Sequence, residues 1–175
     1  MKDDIWVSDI PLMEKQYTKK ECFSLMDCNE EFYRESNQIQ ANFIAIRKSE
    51  KTIKIVKEWL EYCCNINIIS PISNNLQFEN DSIFIEHRED QSVLSLICKK
   101  WGINTHLDPS QYGRIPTKYY DKNRIFKVPQ HDKEYPVCLI LHRTADVNFK
   151  ICINQWLCSW LPLFIIIFCR YSTVL

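Results

Sequence analysis

The stretch from Phe84 to Ile103, FIEHREDQSVLSLICKKWGI, constrains this chain more than any other. Val93, Leu94, Ile97, Cys98 and Trp101 recur at three- and four-residue steps, the spacing that lines one face of an α-helix. Lys99 and Lys100 suit the negative end of the helix dipole, and Gly102 supplies a stop. The helix is therefore predicted to begin near Asp90. Just upstream, Ile83 to Ile85 reads as a short buried strand, so an apolar strand hands over to His87, Arg88, Glu89, Asp90 and Gln91. In open α/β sheets such a junction, beyond the carboxyl end of a strand and beside unpaired helix N–H groups, is where ligands bind. Two readings of the cluster stand side by side. Acidic residues in a first turn favour the positive end of the dipole and cap it. Five consecutive polar side chains also supply an acid or base, a cation, two carboxylates and a bifunctional amide, more than a cap requires.

At 175 residues the chain suggests one domain with a real core rather than two enzymatic domains. Its 22 basic and 22 acidic residues cancel, so no global field recruits nucleic acid or an anionic membrane, and specific nucleic-acid binding is disfavoured. The nine cysteines include no Cys-x-x-Cys pair, and Cys63 and Cys64 are adjacent, which argues against a disulfide framework or a zinc site and fits a reducing cytoplasm. MKDDIWVSD has neither the basic patch nor the apolar core of a secretory signal. With only two glycines, Gly102 and Gly113, no Gly-rich phosphate loop can be built.

In chain order, Asp4 to Ile10 reads as a strand interrupted at Pro11. Thr18 and Glu21 have capping-box spacing for a helix through Met26, with Cys22, Leu25 and Met26 inward. Gln38 to Ile46 reads as one strand buried on both faces. Ser49 caps a helix to about Tyr62 whose stripe of Ile53, Val56, Trp59, Leu60 and Cys63 is expected to face the core. Asn65 to Asn80 reads as turn chemistry rather than a regular element, a loop able to cover a site. Thr105 to Leu107 is a candidate short strand, followed by the bending segment around Pro109, Gly113 and Pro116, and Tyr119 and Tyr120 either stack on a ligand or fill a shallow surface. Val137 to Leu141 reads as another buried strand, ending at His142 and Arg143. Finally, Ile151 to Cys169 carries no charge and is long enough to cross a bilayer core. Asn154, Gln155, Ser159 and Pro162 weigh against a span, leaving an interfacial segment anchored by Trp156 and Trp160, or packing on the domain itself.

HREDQSVLSLICKKWGI resembles the His-Arg-(His or Glu)-Asp-Gln-Ser signature of a group of bacterial GT-A-type glycosyltransferase-like proteins linked with capsular and surface polysaccharide. The resemblance extends to EKQYTKKECFSLM, similar to that family's Glu-Lys-x-(Trp or Tyr)-Thr-Lys segment, to the Gln38 strand, to EWLEYC and to DPSQYG. It implies an α/β fold, a partial GT-A-like domain with a mixed sheet and flanking helices over residues 1–150, followed by an apolar tail over 151–175. It further implies retaining transfer of a sugar from a nucleotide-sugar donor to a glycan acceptor. Asp90 would bind hydroxyls of the donor sugar, Gln91 would sit near the anomeric carbon, and His87, Arg88 and Glu89 would shape the pocket. A divalent cation, Mn or Mg, accompanies such chemistry, and His142 matches the late metal-binding histidine of related transferases. By the same resemblance the chain begins downstream of the βαβ half that ordinarily carries an Asp-x-Asp element, for which Asp3, Asp4 and Asp9 are poor substitutes. The expected location is the cytoplasm, at the inner face of a membrane if residues 151–169 attach to one. The alternative expectation is a non-catalytic remnant or partner-binding module.

Overall fold

The computed structural model describes residues 4–73, 77–114, 124–127, 131 and 136–139. Every other strand among them pairs with β1 (Ile5–Met13), whose side chains are buried on both faces, as the apolar run IWVSDIPLM demands. The strand continues through Pro11 rather than breaking there. Proline cannot donate to a ladder, and the pairing accommodates it with a register shift: Asp9 faces Ile39 and Met13 faces Asn37, so Pro11 falls where the ladder is irregular.

The expected strand over Gln38 to Ile46 is likewise two pieces, β2 (Asn37–Ile39) and β3 (Ala45–Ile46), both antiparallel to β1. Stepping from Asp9 to Trp6 on β1 takes the partner from Ile39 to Ala45, so extra residues bulge out between the two pairings. β4 (Thr105–His106) pairs parallel with β1 and makes the sheet mixed.

Seven helices flank this sheet among the described residues: α1 (Glu14–Tyr17), α2 (Lys20–Leu25), α3 (Glu31–Arg34), α4 (Glu50–Cys63), α5 (Ile66–Ile69), α6 (Glu89–Lys100) and α7 (Gln111–Arg114). α6 is the central one, buried without interruption from Ser92 to Cys98. It ends as the sequence predicts, with Gly102 at φ +60° and its N–H on the Lys99 carbonyl. Val93, Leu94, Leu96, Ile97 and Cys98 meet Ile5, Val7, Phe23, Met26, Ile39, Ile55 and Ile68 in the main core.

α4 begins at the predicted cap, where Ser49 accepts from the Thr52 N–H and the Thr52 hydroxyl accepts from the Ser49 N–H. Its apolar stripe, however, is only partly core. Thr52 and Ile55 are buried and Trp59 and Cys63 half-buried, whereas Ile53, Val56 and Leu60 are exposed, Leu60 by 64%. The neighbours α5 and α6 pack on α4, whose flank of Thr52, Ile55 and Trp59 is covered while the adjacent face of Ile53, Val56 and Leu60 stays in solvent.

Three further expectations change. Thr18 and Glu21 form no capping box: Lys19 is the N-cap of α2 with no side-chain cap, and Leu25 faces outward. The α2 amides are closed instead by distant residues, Asn80 Oδ1 accepting from Lys20 N and His87 Nδ1 from Lys19 N. The Asn65–Asn80 loop contains α5, capped by Asn65 and anchored by buried Ile68. Ile83 to Ile85 is not a strand and Ile85 is exposed. Of the expected Val137–Leu141 strand, the described part makes one parallel bridge, Leu139 to Ser110. Pro116, Tyr119, Tyr120, His142, Arg143 and the 151–169 segment lie outside the described residues. Among the described residues no helix is long and apolar enough to cross a membrane.

The two glycines make a discriminating pair. A Cβ on Gly102 would meet nothing within 4 Å, so Gly102→Ala carries only the left-handed backbone penalty, about 1 kcal/mol. A Cβ on Gly113 would lie 2.1 Å from the Asp108 carbonyl oxygen, so Gly113→Ala is expected to cost about 2–3 kcal/mol as the backbone shifts. Urea denaturation should rank Gly113→Ala as the less stable; the reverse order would contradict this packing.

Candidate functional site

Two segments, Glu14–Lys19 and Ile83–Ser92, lie about 70 residues apart in sequence and interlock in the fold. Backbone does much of this: Ile85 N–H donates to the Gln16 carbonyl at 2.9 Å and Arg88 N–H to the Tyr17 carbonyl at 3.1 Å. Ser92 Oγ donates to the same Tyr17 carbonyl at 2.7 Å, and the Arg88 guanidinium lies 4.4 Å from the centre of the Tyr17 ring. The 83–88 segment is thus held by side-on docking to 16–19 rather than by a strand, and the expected strand-to-helix junction is absent.

Beneath this contact sits a buried polar network. Glu14, fully buried, is paired with Lys99, accepts from Ser95 Oγ at 2.7 Å and from Thr18 Oγ1 at 2.6 Å, and lies 3.4 Å from Gln38 Nε2. Lys19, also fully buried, donates to the carbonyls of Ser70 at 2.7 Å and Ile72 at 3.2 Å and pairs with Glu21 at 3.4 Å. A buried charge is tolerated when both a counter-charge and hydrogen bonds replace its water, as here. Sequence reasoning missed Glu14, Gln38, Ser95 and Lys99. A signal for three of its members exists: Ser92, Ser95 and Lys99, at steps of three and four, form a polar stripe beside the apolar Val93, Leu94, Leu96, Ile97 and Cys98.

The five predicted residues separate into three environments. His87 is buried: Nε2 donates to the Ile68 carbonyl at 2.9 Å, and Nδ1 accepts from Lys19 N–H at 3.3 Å. Both ring nitrogens are committed, and burial pushes its pKa down to about 4. Arg88 is half-buried, stacked on Tyr17 and bonded to Glu86 at 3.2 Å. Glu89 and Asp90 are exposed, and among the described residues their carboxylates have no hydrogen bond or ion pair. Glu89 holds φ +42°, a left-handed conformation that costs a non-glycine residue about 1 kcal/mol or more. Gln91 is half-buried, its Nε2 donating to Gln38 Oε1 at 2.8 Å and its Oε1 lying 3.4 Å from Ala41 N.

A cavity of about 340 Å³ lies elsewhere, lined by Asp4, Ile5, Arg47, Lys51, Thr52, Gly102, Ile103 and Asn104. Gly102 and Ile103 follow the carboxyl end of α6, whereas Asp90 and Gln91 stand at its start, about 18 Å away along a 12-residue helix. Asp4 is paired there with Arg47 at 2.5 Å, and Asp9 with His131 Nε2 at 2.7 Å. Among the described residues no group of three His, Cys, Asp or Glu side chains is placed to hold a metal, and His142 lies outside them. Cys22, Cys28 and Cys98 are buried thiols whose pKa values burial raises, to about 11 for Cys28 and about 12 for Cys98, so they act as core residues rather than nucleophiles.

Two outcomes follow. His87 is neutral when folded but has an ordinary pKa of 6.5 when unfolded, so the unfolded chain binds the extra proton first. Its contribution is fully present above pH 6.5 and is lost as pH falls toward about 4, a cost on the order of 3 kcal/mol. Urea titrations from pH 7 to 4 should therefore show a slope that His87→Asn flattens; an unchanged slope would contradict the buried neutral imidazole. Lys99→Met should destabilise by about 3–5 kcal/mol by leaving Glu14 without its counter-charge, and adding Glu14→Gln should recover part of the loss. Additive losses in chemical denaturation would contradict a coupled pair.

No family model matches the chain, and neither the curated proteins nor the solved structures include a significant match to it.

Proposed function

We propose that this chain is a GT-A-like sugar-transferase domain in surface polysaccharide synthesis, with Asp90 and Gln91 at the reacting centre. The observation that carries the reading is the interlocking of Glu14–Lys19 with His87–Ser92, two of the separated segments in which the resemblance lies. Asp90 offers an exposed carboxylate able to hold two sugar hydroxyls. Gln91 offers an amide oxygen toward positive charge that develops at an anomeric carbon. Arg88, one N–H already on Glu86, keeps further donors for a leaving diphosphate.

In the reaction, the bond from the anomeric carbon to the diphosphate oxygen breaks and its electron pair leaves with the phosphate. The acceptor hydroxyl oxygen bonds to the same face of that carbon, and its proton passes to the departing phosphate oxygen. A divalent cation would stabilise that oxygen, but the described residues do not supply its donors: Glu89 and Asp90 are two carboxylates without a third ligand, and His87 has both nitrogens engaged.

A second reading, a non-catalytic partner-binding module, is favoured by a different observation: the exposed stripe of Ile53, Val56 and Leu60 on α4. Calorimetry with a uridine diphosphate sugar separates the two. The transferase reading expects binding that Asp90→Asn weakens about tenfold or more, and transfer that Gln91→Ala lowers about 100-fold. Absence of binding to any nucleotide sugar, with or without Mn²⁺, would favour the second reading.

A further inference from the structure

We infer that Gln38 is a positioning residue that dictates which end of the Gln91 amide faces outward; its catalytic consequence, though not its geometry, rests on the transferase reading above. Gln38 is fully buried on β2, and its Nε2 is ringed by Tyr17 O at 3.2 Å, Ser92 Oγ at 3.3 Å, Thr18 Oγ1 at 3.4 Å and Glu14 Oε1 at 3.4 Å. Two of these are acceptors by nature, a carbonyl and a carboxylate held in an ion pair. The two hydroxyls have already spent their protons, Ser92 on the Tyr17 carbonyl and Thr18 on Glu14, so each can offer Gln38 only a lone pair.

Every group facing the buried end of Gln38 therefore demands a donor. A flipped amide would set its oxygen against four acceptors, so the NH₂ faces inward and Oε1 faces Gln91. That oxygen accepts from Gln91 Nε2 at 2.8 Å, which turns the Gln91 NH₂ inward in its turn. The Gln91 carbonyl oxygen is left on the opposite arm, where its contact with Ala41 N is long at 3.4 Å and leaves a lone pair available. Polarity thus passes from the Glu14–Lys99 pair, through Gln38, to the carbonyl oxygen of half-buried Gln91. Beside a carbon gaining positive charge the oxygen end is stabilising, and the NH₂ end would oppose the charge.

Side-chain amide NMR of the full chain tests the order of control. In Gln91→Met, Gln38 keeps its inward acceptors, so its NH₂ protons should remain slow to exchange. In Gln38→Met, only the long contact from Ala41 N–H is left to orient Gln91, and its NH₂, without an acceptor, should exchange its protons about tenfold faster or more. Loss of Gln38 protection in Gln91→Met, or unchanged Gln91 protons in Gln38→Met, would overturn the inference. Because Gln91 is half-exposed, Gln91→Met keeps the test available even if Gln38→Met does not fold. In a transfer assay Gln38→Met should lower kcat about 10- to 100-fold with KM within about twofold, and cause no further loss in a Gln91→Ala background. The predicted exchange pattern without any transfer activity would sustain the positioning role and remove the transferase reading.

Discussion

The ion pair between Glu14 and Lys99 sets the terms for the rest of the molecule. A carboxylate with no solvent contact must have its lost water replaced, and here the replacements are four side chains from three segments: Thr18 on the loop after α1, Gln38 on β2, and Ser95 and Lys99 on α6. Hydrophobic contact alone would hold α6 against the sheet in several rotations. The pair allows one, because only one rotation of α6 brings Ser92, Ser95 and Lys99 onto Tyr17 and Glu14 together. That rotation in turn fixes where His87 through Gln91 emerge.

The 83–92 segment then has little freedom. His87 locks it to Lys19 and Ile68, Arg88 to Tyr17, and Gln91 to Gln38, while Glu89 adopts a left-handed backbone to connect them. Only the carboxylates of Glu89 and Asp90 are left in solvent without a hydrogen bond or ion pair among the described residues. A cluster that reads as five equivalent polar residues is in this way sorted into anchors and free groups. The anchors explain why a histidine and a glutamine stand there whether or not a sugar ever binds.

What was legible in the sequence were features governed by local physics. The start and end of α6, the Ser49 cap and the Gly102 stop each depend on a few neighbouring residues and stand as read. What was not legible depended on distant partners. Ile83–Ile85 reads as a strand because three apolar residues adjoin, yet no strand lies beside them: the Phe84 amide turns back to the Asp81 carbonyl and the Ile85 amide finds that of Gln16. Pro11 reads as a break because its missing donor matters only if the ladder is regular there, and a register shift removes that condition. Ile53, Val56 and Leu60 share the helical period of half-buried Trp59 and Cys63, and no rule of periodicity says that α5 and α6 will cover the flank of Thr52 and Ile55 instead. The polar stripe of Ser92, Ser95 and Lys99 was visible, but its meaning required Glu14, 78 to 85 positions away.

Hydrogen exchange on the full chain, resolved by mass spectrometry, bears most directly on the claim that the two separated segments form one cooperative unit. The amides of Lys19, Ile85 and Arg88, bonded to His87, Gln16 and Tyr17, should exchange together with the interior of α6, at one rate and one denaturant dependence. If Ile85 and Arg88 instead exchange as a free loop while α6 stays protected, the segments merely touch, and neither the buried network nor the site built on it has the role described.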